Sequence, residues 1–358
     1  MTTSHDIALT DIQRIENLST KIERLVVDAR NKVATTVNWA VVYSHYEVGR
    51  YIIEDEQDGN YRAAYGKKIL QGVSERLTER LGKGWSVENL TLMRKFYVVY
   101  SDSVTSGYEI QDKNRNQRLP DFILPWTHYQ ILMRVENPDA RKFYEIEAKK
   151  QQWSKRELQR QIGSSLYERL ALSRDKDGVM KLAIEGQTVT QPTDILKDPV
   201  SLEFLGLKPD ASYSETILEN AIISKLQQFL LEMGKGFLFE ARQKRFTFEE
   251  RYFYIDLVLY NRLLQCYVLI DLKMDDLTHQ DLGQMQMYVN YYDRYIRQDF
   301  EKPTIGILLC ERKNDALVEL TLPENANIYA QQYALYLPDK KILQQKLKEW
   351  IEEQNEQM

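Results

Sequence analysis

Tyr252-Phe-Tyr-Ile-Asp-Leu-Val-Leu-Tyr260 and Tyr267-Val-Leu-Ile-Asp-Leu-Lys273 are apolar, β-branched and aromatic runs, each with an aspartate where a core strand should carry none. Their composition predicts two strands joined by a short polar link around Asn261 and Arg262. Side chains alternate faces along a strand, so Asp271 and Lys273 point the same way. If the hairpin closes with a loop from Arg262 to Gln265, Asp256 lies opposite Asp271, their Cβ atoms about 5 Å apart.

Two carboxylates that close, partly shielded from water, repel by about 3 kcal/mol at an effective dielectric of about 20. A proton, a neighbouring cation or a bound metal must offset this. Mg²⁺ takes one or two such carboxylates and keeps most of its waters. A lysine two residues on can orient or deprotonate a water, or stabilise an oxyanion. Such a set suits phosphodiester hydrolysis. The other reading of these residues is a salt bridge at a strand end, with Lys273 neutralising Asp256 or Asp271. The bare acid-X-Lys pattern has little specificity: it recurs at Glu147, Glu311 and Asp339, each time in charged surroundings. Only Asp271 follows an apolar run and has an aspartate on a preceding predicted strand.

The flanks add polar groups to the same region. Ser212-Tyr-Ser-Glu215 has the form of a capping box, and the helix it opens carries Glu215 and Glu219 on one face. That helix is expected to end near Gly234-Lys-Gly236, before a strand that starts at Phe237 and runs through Arg242 and Gln243. Downstream, Gln280, Gln284 and Tyr288 recur at every fourth position of a predicted helix. The expected order is therefore helix, three strands, helix.

These residues resemble the PD-(D/E)XK nuclease superfamily, and the whole chain resembles its YhcG-type branch. The resemblance runs through Lys197-Asp-Pro199, Leu202 to Leu207, Tyr213-Ser-Glu215, Phe229 to Glu232, Arg242-Gln243, Ile255-Asp-Leu257, Asp271-Leu-Lys273, Gly283-Gln-Met285 with Tyr288, and Gly306 to Cys310. Upstream it includes Tyr46 to Gly49, Tyr65-Gly66, Gly82 to Ser86, Trp126 to Tyr129, Arg141 to Tyr144, Trp153-Ser154 and Gln161-Ile162. It implies an α/β (α+β) two-domain chain: a mainly helical N-terminal domain and a restriction-endonuclease-like mixed sheet flanked by helices. It implies a nuclease with Mg²⁺ or Mn²⁺ as cofactor. Asp256 and Asp271 take the metal-binding positions, Lys273 the lysine position, and Glu219 the helix-borne acid, with Glu215 as second choice. Gln284 and Tyr288 fit a glutamine–tyrosine pair beside the site. Arg242, Gln243, Tyr288, Arg156 and Arg160 are the expected nucleic-acid contacts. One departure is that this branch more often has glutamate at the position of Asp271; the shorter side chain would shift a bound metal by roughly one bond.

The chain has 358 residues, 43% of them apolar, enough for two substantial cores. No apolar run approaches a membrane span and the start is not a signal peptide, so a cytoplasmic protein with no membrane partner is expected. Cys266 and Cys310 sit in strand-like runs and read as core residues. The histidines are scattered, which argues against zinc, and no phosphate loop or serine elbow appears. The net charge of −5 hides an uneven distribution. Arg141 to Arg174 holds nine basic against four acidic residues, whereas Tyr213 to Pro338 holds 13 against 18. The basic stretch can engage phosphates or be a solvated face.

Residues 10–174 read as a helical domain for targeting or dimerisation, 175–211 as a linker marked by Pro192, Pro199 and Pro209, and 212–358 as the nuclease-like domain. Lys67 to Leu81 and Val87 to about Tyr100, around Gly82-Lys-Gly84 and the Ser86 cap, read as a helix-turn-helix or as an ordinary corner. Asp102 to Asp121 reads as a loop or wing, Thr127 and Ser154 as caps of further helices, and Asp339 to Gln354 as a final amphipathic helix. The expected partner is nucleic acid, DNA before RNA, and a homo-oligomer would suit double-strand cutting. The competing readings are a non-catalytic nucleic-acid-binding or accessory protein on the same fold, as in a restriction or mobile-element system, and a helical scaffold.

Overall fold

The computed structural model describes residues 36–56, 63–101, 122–208, 213–323, 326–337 and 339–356. The stretch read as a loop or wing, residues 102–121, and residues 10–35 of the expected helical domain lie outside them. The chain divides into two compact units, Met1–Arg141 with Ala148–Lys155, and Lys142–Glu147 with Arg156–Met358.

The first unit is helical: α1 over residues 36–56, α2 (Ala63–Leu81), α3 (Val87–Tyr100), α4 (Trp126–Leu132) and most of α5 (Pro138–Lys150). Ser86 caps α3 as expected, its side chain accepting the Asn89 N–H at 3.3 Å. Thr127 does not cap α4. Pro125 holds the N-cap position and Thr127 lies one residue inside the helix, because proline's fixed φ already gives the extended entry. Aromatic side chains fill the core: Phe96 lies within 6.0 Å, centroid to centroid, of Tyr46, Tyr100, Phe122, Trp126 and Tyr129. Gly49 lets α1 and α3 approach closely, since a Cβ there would lie 2.1 Å from the Met93 carbonyl oxygen.

The second unit contains α6 (Lys155–Gly163), α7 (Leu166–Ala171), α8 (Lys176–Glu185), β1 (Val200–Ser201), α9 (Glu215–Ser224), α10 (Leu226–Met233), β2 (Phe237–Phe248), β3 (Arg251–Asn261), β4 (Cys266–Asp276), α11 (His279–Tyr295), β5 (Ile305–Arg312), α12 (Asp315–Thr321), β6 (Ile328–Ala334) and α13 (Lys340–Glu356). The strands form one mixed sheet in the order β1-β6-β5-β4-β3-β2. β2, β3 and β4 are antiparallel, whereas β4–β5, β5–β6 and β1–β6 are parallel. Period-two alternation divides the core. Val268, Ile270 and Leu272 of β4 pack with α9 and α10 through Leu218, Ile222 and Phe229. Leu269 packs on the other face with Leu282, Met285, Tyr288 and Tyr292 of α11.

Two boundaries differ from the sequence reading. α9 is capped by Ser214, which accepts the Ile217 N–H at 3.4 Å, and Ser212 lies outside the described residues. The helix expected to reach Gly234 breaks at Lys225, whose φ of −121° and ψ of 30° are not helical.

The stretch read as a linker also carries structure. Val200 and Leu202 are in the core, and β1 extends the sheet beside β6. What holds this segment is a buried charge cluster. Glu232 of α10 is fully buried; Arg169 of α7 donates to its carboxylate, as do Arg160 of α6 at 3.3 Å and the Ser201 N–H at 3.1 Å. Lys197 donates to the Glu232 carbonyl. Burial alone would raise the Glu232 carboxyl, but Arg169, Lys197 and Arg160 outweigh it and hold it at about 2. Arg169→Ala leaves a buried carboxylate short of a partner and should destabilise this unit by about 3–5 kcal/mol. Urea unfolding checks this, and the pair substitution Arg169→Met with Glu232→Leu should recover part of the loss.

Candidate active site

The β3–β4 turn has the four residues expected, because Asn261 pairs with Cys266 across Arg262–Gln265. Asn261 is fully buried. Its Oδ1 accepts the N–H groups of Leu263 and Leu264 at 3.0 and 3.1 Å, and its Nδ2 donates to the Lys235 carbonyl at 3.0 Å. This local turn sets a ladder that runs to Leu257–Ile270, and the next step brings Asp256 beside Asp271. There the strands part. Ile255 packs into the α11 cluster and Leu257, two residues on, into the α9–α10 cluster, so β3 changes face across Asp256. Asp256 Oδ2 accepts the Leu272 N–H at 2.8 Å, where the ladder has stopped.

Asp271 is 3% exposed. Burial first, and then the Asp256 carboxylate, push its carboxyl up to about 7, against the pull of Lys273. Lys273 Nζ lies 2.9 Å from Asp271 Oδ2, 3.6 Å from Asp281 and 3.8 Å from Glu215. Burial lowers the lysine, but Asp271, Glu215 and Asp281 outweigh it and raise it, so the side chain is an ammonium at neutral pH. That arrangement suits a charge stabiliser better than a general base.

Gln243 links the pair to α9: its Nε2 donates to Asp256 Oδ1 and to Glu219 Oε2, both at 2.8 Å. Gln243 adopts φ 44°, a left-handed backbone on a strand. Glu219 Oε1 is buried without a hydrogen-bond partner, with Arg242 Nε 3.7 Å away. On α11, Gln284 donates to the Tyr288 hydroxyl, which donates to the Tyr254 carbonyl at 2.8 Å. Burial pushes the Tyr288 phenol up to about 12.

Asp256, Asp271, Lys273, Gln243, Glu219 and Arg242 thus form one contact network, and Tyr288 joins Gln284 to β3. Arg160 lies elsewhere, paired with Glu203 at 3.0 Å and with Glu232, and Arg156 is exposed on α6. Of the nine basic residues from Arg141 to Arg174, Arg141, Arg160, Arg169 and Arg174 have partners inside the protein, and Lys142, Lys149, Lys150, Lys155 and Arg156 are exposed. Arg141 donates to the Val135 carbonyl at 3.1 Å, Arg174 to the Leu170 carbonyl at 2.8 Å, and Arg169 is fully buried. Asp281 is the site residue missed in the sequence. It closes a capping box with Thr278 at the start of α11, and Thr278-His-Gln-Asp281 carries that signal.

Among the described residues no three Asp, Glu, His or Cys side chains stand together as a metal-ligand cluster. Asp256 and Asp271 are a pair, and Glu219 reaches Asp256 only through the Gln243 amide. The donor set still fits a hard divalent cation. It offers carboxylate oxygens alone, one of them a buried Glu219 oxygen with no hydrogen bond, and the mutual repulsion raises Asp271.

Residues 193–348 match the YhcG PDDEXK nuclease domain and residues 21–169 the DUF1016 N-terminal domain. The chain is 36% identical over 345 residues to the protein named "Putative nuclease YhcG" of Escherichia coli (strain K12), across 91% of this chain and 92% of that one. A solved structure, a repair endonuclease from Pyrococcus abyssi, aligns at 19% identity and a TM-score of 0.25, over 37% of this chain and 50% of that one.

The raised Asp271 carboxyl has a consequence for stability. Folded, it holds its proton up to about pH 7, whereas unfolded it loses it near the ordinary carboxylate value of about 4. Its stabilising share is complete below that lower value and is lost as pH rises through 7. In chelator, Asp271→Asn should therefore stabilise the protein at pH 8 by about 1–3 kcal/mol and remove the decline between about pH 4 and about pH 7. Thermal unfolding across that range checks it.

Proposed function

The chain belongs to the YhcG family of PDDEXK nucleases, and from that premise we propose that it is a divalent-metal-dependent endonuclease that hydrolyses phosphodiester bonds of DNA. The observation that carries the reading is the convergence of Asp256, Asp271 and Lys273 where β3 and β4 part. Asp256 and Asp271, with Glu219, would hold Mg²⁺ or Mn²⁺. A cation of this kind supplies Lewis acidity to a phosphoryl oxygen and makes a nearby water a better nucleophile.

The protein's own groups have separate tasks in this reading. The Leu272 N–H and the Gln243 amide fix the direction of the Asp256 carboxylate. Lys273 keeps its proton at Nζ and faces the negative charge that develops on the phosphate, a preorganised electrostatic role. Tyr288 holds β3 in place through the Tyr254 carbonyl, and Gln284 orients the Tyr288 hydroxyl. Arg242, exposed on β2 beside Glu219, is a second cation for a substrate phosphate. The N-terminal helical unit serves in targeting or in forming a homodimer, and the α2–α3 corner is its candidate DNA-reading element. Among the described residues no helix is long and apolar enough to cross a membrane, and we place the activity in the cytoplasm.

Asp256→Ala and Lys273→Ala should each lower cleavage by about 100-fold or more while the unfolding transition stays cooperative. The assay compares plasmid, linear duplex, oligonucleotide and RNA substrates with Mg²⁺, Mn²⁺ or chelator. Undiminished cleavage by either variant would overturn the assignment.

A further inference from the structure

β2 and β3 continue past the end of β4 pairing: β3 meets β4 only from Leu257 onward, whereas its pairing with β2 reaches Arg251–Phe248. The outer part of this hairpin is an arm that starts two residues from Asp256 on one strand and two from Gln243 on the other. Its two faces differ. Phe246 and Phe253 are paired and stacked, and Phe246 lies 4.1 Å, centroid to centroid, from Tyr291 of α11. That face is core. On the other, Arg245 pairs with Tyr254 and Thr247 with Tyr252, and the two tyrosines are 47% and 63% exposed. The Arg245 guanidinium sits 5.0 Å from the centre of the Tyr252 ring.

Charge sets the segment from Arg242 through this arm apart from its unit, with Arg242 and Lys244 at the base of the arm and Arg245 and Arg251 on it. Arg242 to Tyr254 carries four basic and two acidic residues, whereas Tyr213 to Pro338 as a whole carries 13 basic and 18 acidic. Both acids, Glu249 and Glu250, occupy the turn at the tip. β2 is also the edge strand, so no described strand lies beyond it. A basic strip with successive exposed rings matches a phosphate backbone with accessible base faces. A duplex hides those faces within its stack, whereas a single strand presents them.

We infer that the outer β2–β3 arm is a docking surface for single-stranded nucleic acid, with bases stacked on Tyr252 and Tyr254 and phosphates on Arg245 and Arg242. The strand then runs along β3 toward Asp256, about 7 Å from Tyr254 and about 13 Å from Tyr252 at the usual strand rise. The inference rests on the nuclease reading for its ligand class and deepens it: the preferred substrate has an unpaired segment next to the bond that is cut.

The test measures binding of the full chain carrying Asp271→Asn, at fixed salt, to end-labelled oligo-dT and to a mixed-sequence duplex of equal length. Adding Tyr252→Ala and Tyr254→Ala should weaken oligo-dT binding by about tenfold or more and duplex binding by no more than about twofold. Adding Tyr252→Phe and Tyr254→Phe instead keeps the rings and should restore oligo-dT affinity. Arg245→Gln should lower the salt dependence of oligo-dT binding by about one unit of slope. Unchanged oligo-dT affinity in the alanine variant, equal losses on both ligands, or no oligo-dT binding by the parent would each overturn the inference. Cleavage by the wild type and its loss in Asp271→Asn report separately on the nuclease reading. A chain that cuts but ignores the tyrosines keeps that reading and loses this one. A chain that binds through the tyrosines but never cuts does the reverse.

Discussion

The site depends on a register, and the register depends on one buried side chain. Asn261 ties three backbone groups of the turn region together and pairs with Cys266 across four residues. A strand slipped by one residue turns every side chain to the opposite face. Asp256 would then leave Asp271, and Leu257 and Leu259 would leave the α9–α10 cluster. Apolar packing and the position of the carboxylates therefore select the same register. The parting of β3 and β4 just beyond the paired segment makes room for both aspartates at the edge of a packed core.

Two of the acids this unit buries have opposite fates. Glu232 is surrounded by Arg169, Lys197 and Arg160 and is drawn down to about 2. Asp271 has one close cation and another carboxylate beside it, and is pushed up to about 7. The first arrangement is balanced and its hydrogen bonds join four segments of the chain. The second holds more negative charge than its surroundings neutralise. An imbalance of that kind accords with the catalytic role proposed for this pair.

Much of this was legible in the sequence because β periodicity is local. The two aspartates stand out against apolar runs, and the turn length follows from where those runs end. The order of helices and strands around the site was readable for the same reason. Long-range ionic partners were not. Nothing local to Arg160 or Arg169 indicates that Glu232 will meet them, so these two cations read no differently from the exposed ones of the same basic stretch. The proline-marked segment read as a linker because β1 is two residues long, too short for any period, and its burial comes from β6. Lys225 gives no breaker signal, and the interruption between α9 and α10 follows from tertiary packing.

The Glu232 cluster also limits how this unit can be divided or exchanged. The nuclease-domain match begins at residue 193, beyond both Arg160 and Arg169. A recombination point there would transplant the sheet and its carboxylates but leave behind two of the cations that make α10 tolerable in the interior. A sheet transferred with Glu232 unchanged therefore needs α6 and α7 with it. Charge neutrality inside the core thus sets a smallest transferable piece that is larger than the stretch matched as the nuclease domain.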